Sequence, residues 1–390
     1  MFLHRGFLLL LLALIPALAP ARPQADRFEA IKPAMQQFVD DGDLAGAVTV
    51  VGNAKGILHH EAVGHRDLAE KDPMRKDSLF RIASMTKPIT AIAVMILADA
   101  GKLSPDDDVA KHLPEFANLH LAGGKKPARP IKIRDLLTHT SGLGNYPKEL
   151  GDVYGKRDRT LAECAKAVAG VPLLFEPGSK WQYCNSGIDT LGRIVEVASG
   201  ESFESFLQKK LFDPLEMKDT TFAPTAEQKK RLAMTYNKKD GKLVPEMSLI
   251  GLPDHPKHPI PAGGLVSCAA DLAKVYRMML NKGEFDGKRI LSEKAVAEMT
   301  RTQTGDLETG FVKGMSFGYG WAVVKEPQGV TSTLSPGTFG HGGAFGTQAW
   351  VDPKQDLFVI LLIQRNGLPN ADASPMRQKL QELAVAGLKK

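Results

Sequence analysis

Cysteine is scarce: Cys164, Cys184 and Cys268 are the whole supply in 390 residues. An odd count in a chain this long implies no disulfide framework and leaves room for one pair, which the sequence does not choose. A long run of one charge is also missing. Lys and Arg number 50 against 44 Asp and Glu, a net +6, and the basic residues cluster only in short loop-like stretches, Gly123 to Pro130 and Asn237 to Lys242. With no extended basic stripe and no aromatic-interleaved motif, no nucleic-acid partner is expected, and the excess reads as a solvated basic surface. Internal repeats are absent too. One long hydrophobic run exists, Phe7 to Ala19, behind the short positive segment Met1 to Gly6. It is too short, and too disrupted by Pro16, for a membrane-spanning helix. It reads instead as a signal peptide over residues 1–21, with cleavage expected after Ala21. No cysteine lies in or just after it to carry a lipid. The mature chain is therefore expected to be exported, periplasmic or secreted, with no stable membrane anchor.

What is present suits a globular protein, 43% hydrophobic and 24% charged, of one large domain or two interlocked ones. Arg27 to Gly42 predicts a helix disturbed at Pro33. Residues 46–65 read as two strands around Asn53-Ala54-Lys55-Gly56. Near the other end, Phe317 to Val324, Thr347 to Val351 and Leu357 to Ile363 are strand-like, the last two joined by a hairpin loop. A final helix follows, capped by Ser374 with Pro375 at its first position. Between these ends the pattern turns helical. Thr160 and Glu163 form a capping box, Ile188, Leu191, Ile194 and Val195 fall at helical spacing before Gly200, and Ser202 to Phe212 reads as a further short helix. The expected fold is α+β: an antiparallel sheet flanked by helices, built from residues 22–85 and 260–390, with an all-helical domain over 86–259 inserted into it.

The segment Phe80 to Gly101 reads from Ile89 onward as a buried helix, yet its first turn carries Ser84, Thr86 and Lys87. On a helix, Lys87 lies one turn above Ser84. A serine hydroxyl is a poor nucleophile unless a neighbouring base takes its proton, and a buried lysine of depressed pKa is such a base. Free amides at the helix start favour negative charge developing on a bound carbonyl oxygen. The second element is Tyr183-Cys184-Asn185, where an extended segment would point phenol and amide to one side. The third is His341-Gly342-Gly343, ahead of a strand, where glycines let a ligand or backbone approach closely.

In this order the three elements resemble the serine-reactive superfamily of class C β-lactamases, D,D-peptidases and family VIII carboxylesterases, with its pattern S-x-x-K, Y-x-N, then K-T-G or H/W-x-G. The stretches Leu136 to Leu143, Glu176 to Gly187 and Pro261 to Lys274 extend the resemblance over nearly the whole mature chain. It implies that Ser84 is the acylated nucleophile, Lys87 its base and Tyr183 the proton shuttle. It also implies that Asn185 contacts substrate and lysine, and that the Ser84 and Ala344 amides form an oxyanion hole. His341 replaces the lysine of K-T-G, which argues against efficient β-lactam hydrolysis, and Arg81 to Pro88 looks closest to the esterases. The expectation is ester hydrolysis through an acyl-enzyme. D-aminopeptidase, amidase or weak β-lactamase and penicillin-binding activity comes next, and an acylated sensor that never turns over is the non-enzymatic rival. The substrate is expected to be a small ester, amide or β-lactam-like molecule.

Other signals point away from different chemistries. Gly314 to Gly318 matches G-x-S-x-G, but a strand-like segment rather than a helix follows Ser316. His60 and His65 are five apart in a strand and face opposite sides, so no metal is expected, nor any cofactor. His255 and His258 read as parts of a surface loop, and His139 as a tie for a loop near the cleft.

Overall fold

Alternating side chains along two segments from opposite ends of the chain set the architecture. The computed structural model describes residues 27–389; the signal-peptide reading of residues 1–21 falls outside them. Its main element is an eight-stranded antiparallel sheet. The strands are β1 (Gly46–Asn53), β2 (Gly56–Asp67), β3 (Asp72–Pro73), β4 (Met315–Phe317), β5 (Ala322–Val324), β6 (Phe339–Gly342), β7 (Gln348–Asp352) and β8 (Leu357–Leu362). Their spatial order is β4-β5-β6-β7-β8-β1-β2-β3. Within it β8 pairs with β1, away from both edges, with Val48 opposite Leu362 and Val50 opposite Ile360.

Both faces of this pair are buried, which is why β8 reads as an unbroken apolar run. Val48, Val50, Phe358, Ile360 and Leu362 join the larger core, while Ala47, Val51, Leu357, Val359 and Leu361 join a second core on the other face. The helices α1 (Ile31–Asp40) and α5 (Pro375–Leu388) cover that second face. The larger core takes in α2 (Thr86–Asp99), α3 (Asn185–Ser199) and α4 (Ala269–Leu280).

Local signals explain the element ends. Thr160 caps Leu161–Ala169 in a capping box with Glu163, Gly200 ends α3 with φ +75, and the Ser374 side chain accepts from the Arg377 amide at the start of α5. Pro33 falls in the first turn of α1, where no amide donor is needed, so it does not disturb the helix. The expected strand Phe317 to Val324 is instead a hairpin of β4 and β5, because Gly320 takes φ +74 and turns the chain. The middle of the chain, expected to be wholly helical, also carries a hairpin, Tyr236–Lys239 with Lys242–Pro245. This hairpin is held there by parallel pairing with Arg365–Asn366. All three cysteines are free and buried.

Candidate active site

Ser84 sits on one 3₁₀ turn, Ala83–Met85, between the short strand Phe80–Arg81 and α2. Ala83 takes φ +46, a left-handed conformation costing a non-glycine residue about 1–2 kcal/mol. Strain next to a reactive side chain is characteristic of functional sites. Residues i and i+3 eclipse in a 3₁₀ turn, so the S-x-x-K spacing still stacks Lys87 on Ser84. Lys87 Nζ donates to Ser84 Oγ at 3.0 Å and to Ala262 O at 2.6 Å.

Lys87 has no exposed surface. Burial pulls its pKa down to about 7, against an opposing pull from Asp189. A sizeable fraction is therefore uncharged at neutral pH. Tyr183 flanks the pair, its ring centroid 4.6 Å from Lys87 Nζ. Burial pushes its hydroxyl well above the usual phenol range, although contact with Ser84 pulls the other way. Tyr183 therefore stays a neutral phenol, and Lys87 is the group beside Ser84 Oγ whose uncharged form burial favours.

His139 packs on Tyr183, with ring centroids 4.5 Å apart. Its Nδ1 accepts from the Cys184 amide at 3.2 Å, and its carbonyl accepts from the Gln182 amide at 2.9 Å. The loop carrying Tyr183 is thereby fastened on both sides of the tyrosine. Burial first, then the nearby Lys87, holds His139 well below the usual histidine pKa, so it is neutral.

Asn185 is not in an extended segment with Tyr183. Cys184 (φ −138) is the N-cap and Asn185 the first residue of α3. It makes no hydrogen bond to Lys87, and its buried Oδ1 has no partner among the described residues. His341 lies on β6 opposite Ala349. Gly342, Gly343 and Ala344 continue past it along the rim. A Cβ on Gly343 would overlap Thr347 Oγ1 and Ile82 O, so that close approach requires glycine. Ser84, Tyr183, His341, Gly342, Gly343 and Ala344 all line one cavity of about 400 Å³, completed by Phe311 and residues 368–372.

Asp189, absent from the residues singled out by motif, is the buried hub beneath the site. Its Oδ2 accepts from the hydroxyls of Tyr146 and Tyr154 at 2.9 and 2.8 Å, and its Oδ1 from the Ala262 amide at 2.8 Å. Ala262 in turn offers its carbonyl to Lys87. An acid between Ile188 and Leu191 on a helix with a buried face was the available signal. His258, expected on the surface, is fully buried. The buried Arg157 guanidinium donates to the carbonyls of His258, Pro259, Phe222 and Gly251, pinning this proline-bent loop inward. Ser316 lies on β4 and is buried, 3.0 Å from Thr304 Oγ1, with no helix after it.

A serine paired with a buried lysine at a helix start, under a phenol and a glycine-lined strand end, also agrees with what is known of other proteins. The profile of the Beta-lactamase family matches residues 31–383. The chain belongs to this family. Esterase EstB of Burkholderia gladioli is 32% identical over 371 residues, covering 87% of this chain and 90% of its own. Penicillin-binding protein 4 of Amycolatopsis lactamdurans is 34% identical over 298 residues, covering 75% of this chain and 73% of its own. The structure of EstCE1, described as a hydrolase with promiscuous acyltransferase activity, superposes with a TM-score of 0.79 at 27% identity, covering 94% of this chain and 98% of its own. This member of the Beta-lactamase family is thus a serine hydrolase with the sheet-and-helix architecture of its relatives.

Proposed function

We propose that the protein cleaves carboxylic esters through an acyl-enzyme on Ser84. The observation that carries this reading is the 3.0 Å contact between Ser84 Oγ and a fully buried lysine whose pKa burial lowers to about 7. Uncharged Lys87 takes the Ser84 proton as Oγ attacks the ester carbonyl. The developing oxyanion is received by the amides of Ser84 and Ala344. Tyr183 relays the proton from Lys87 to the departing alkoxide, which leaves as an alcohol. A water then attacks the acyl-serine, giving up its proton through the same groups, and the carboxylic acid departs with Ser84 restored. Asn185, with its unpaired amide oxygen, is assigned to substrate.

Hydrolysis of p-nitrophenyl butyrate by wild type and Ser84→Ala, side by side, tests this. Turnover in the first and none in the second is expected, with a butyryl adduct on Ser84 by intact mass. Near-normal turnover by Ser84→Ala would overturn the reading. A permanent adduct without turnover would instead make the protein an acylated sensor.

A further inference from the structure

The wall of the cavity that faces Ser84 and Tyr183 is electrically one-sided. Among the described residues lining it, Asp372 is the one with a formal charge, and no lysine or arginine reaches it. Lys87 lies beneath the floor, fully buried. Asp372 belongs to the 3₁₀ turn Ala371–Ala373, held by Asn370 Oδ1, which accepts from the Asp372 amide at 2.9 Å. Its Oδ1 accepts from Gln348 Nε2 at 3.0 Å, while its Oδ2 has no hydrogen-bond partner among the described residues. A Cβ on Gly342 would overlap Asp372 Oδ1, so the carboxylate lies directly against the end of β6. Arg377 is the nearest cation. Its Nη1 donates to Asp372 O at 2.6 Å and stands 3.9 Å from Asp372 Oδ1. The guanidinium, however, is fully buried and stacked on Trp350, 4.0 Å from the ring centroid, and it does not line this cavity, only a small adjoining one.

His341 supplies a second, independent observation. Its Nδ1 donates to Gly342 O at 2.6 Å, which fixes the tautomer and leaves Nε2 as a bare lone pair. That Nε2 is buried and without a partner, on a residue 4% exposed that lines the same cavity. A buried acceptor with no donor is unfavourable, and among the described residues no side chain supplies one. Burial, reinforced by Lys87, lowers the His341 pKa to about 4, so the ring does not gain a proton at neutral pH.

The geometry points to a subsite for a protonated amine: Asp372 and His341 together receive an ammonium group carried by the substrate. An ammonium brings three donors and a positive charge, which satisfies both acceptors. A carboxylate in the same place meets like charge and an acceptor it cannot pair with. This rests on the ester-hydrolase reading and names the substrate class within it.

The test uses p-nitrophenyl esters of three acyl chains of equal length: 6-aminohexanoate, heptanoate and the monoester of pimelate. They end in ammonium, methyl and carboxylate. In wild type, kcat/KM is expected to fall in that order, with the ammonium ester ahead of the carboxylate ester by about tenfold or more. In Asp372→Asn that ratio is expected to collapse toward one. A wild-type ratio of one or less, or a ratio unmoved by Asp372→Asn, would overturn the subsite while leaving the hydrolase intact. Were none of the three cleaved in a Ser84-dependent way, the hydrolase reading and this inference would fall together. Should Asp372→Asn not fold, competitive inhibition of wild type decides: hexylamine is expected to inhibit more strongly than hexanoate, and the reverse order would overturn the subsite.

Discussion

In the proposed mechanism, pH acts on this enzyme through Lys87. Below pH 7 it holds a proton and cannot take one from Ser84, so kcat/KM for p-nitrophenyl butyrate is expected to rise with pH and reach half its plateau near pH 7. A profile flat from pH 5 to 8 would contradict that role. Removing the base, in Lys87→Ala, is expected to cost roughly two to four orders of magnitude in kcat. A loss under tenfold would shift the role to Tyr183. The same burial weakens the fold. The folded pKa of about 7 lies below the model-compound value of 10.5. Between those values the unfolded chain binds more protons, so the lysine's contribution to stability rises with pH across that window and the full penalty applies below pH 7. Lys87→Met is therefore expected to melt higher than wild type at pH 6.5, by roughly 1–3 °C. The advantage should shrink toward pH 10. Calorimetry at the two pH values checks both the sign and the trend.

At the scale of elements, α3 and the loop packed beneath it form the mounting for that lysine. Asp189 holds the Ala262 amide, and Ala262 O holds Lys87 Nζ. Asp189 also favours the charged lysine. Asp189→Asn is expected to lower kcat by about tenfold, as a buried hydrogen-bond network loses its anionic acceptor. It should also move the acid limb of the pH profile to lower pH, since the group that raises the lysine pKa has lost its charge. A fall in kcat with the limb unmoved would reduce Asp189 to a packing role. Motif spacing made Ser84, Lys87, Tyr183 and the His341 strand end legible in the sequence, because each needs only local geometry. Asp189, Arg157 and His258 were not legible, since the partners that bury them lie 35 to 102 positions away in sequence. Asn185 was half legible: its place beside Tyr183 was evident, but the helix start between them was not. At the rim, Gly343→Ala is expected to cut kcat/KM by about tenfold or more, because the added Cβ meets Ile82 O and Thr347 Oγ1 and displaces Ser84 or Ala344. Unchanged activity would show that the rim yields.

For the whole molecule, the interior of the sheet was legible where the chain runs apolar and β-branched, at β1 and β8, and the capping residues marked α5 correctly. The short strands were not, because β4 and β5 are defined by the turn at Gly320 and by neighbours rather than by their own pattern. The cover that α1 and α5 give the second core is expected to be indispensable. Leu380→Asp, placing a charge in that core, should abolish cooperative melting and expose apolar surface to a fluorescent dye. A soluble, cooperatively melting variant would contradict it. The pairing of Val48 with Leu362 also has a consequence in time. At a synthesis rate of about 5–20 residues per second, β1 leaves the ribosome roughly 15–60 s before β8 exists to pair with it. Through that interval the newborn chain carries a long apolar strand with one open edge, and the serine and the strand end that faces it belong to unconnected pieces. The chain therefore stays chemically silent, and in need of shelter from aggregation, until almost its last residues have been made.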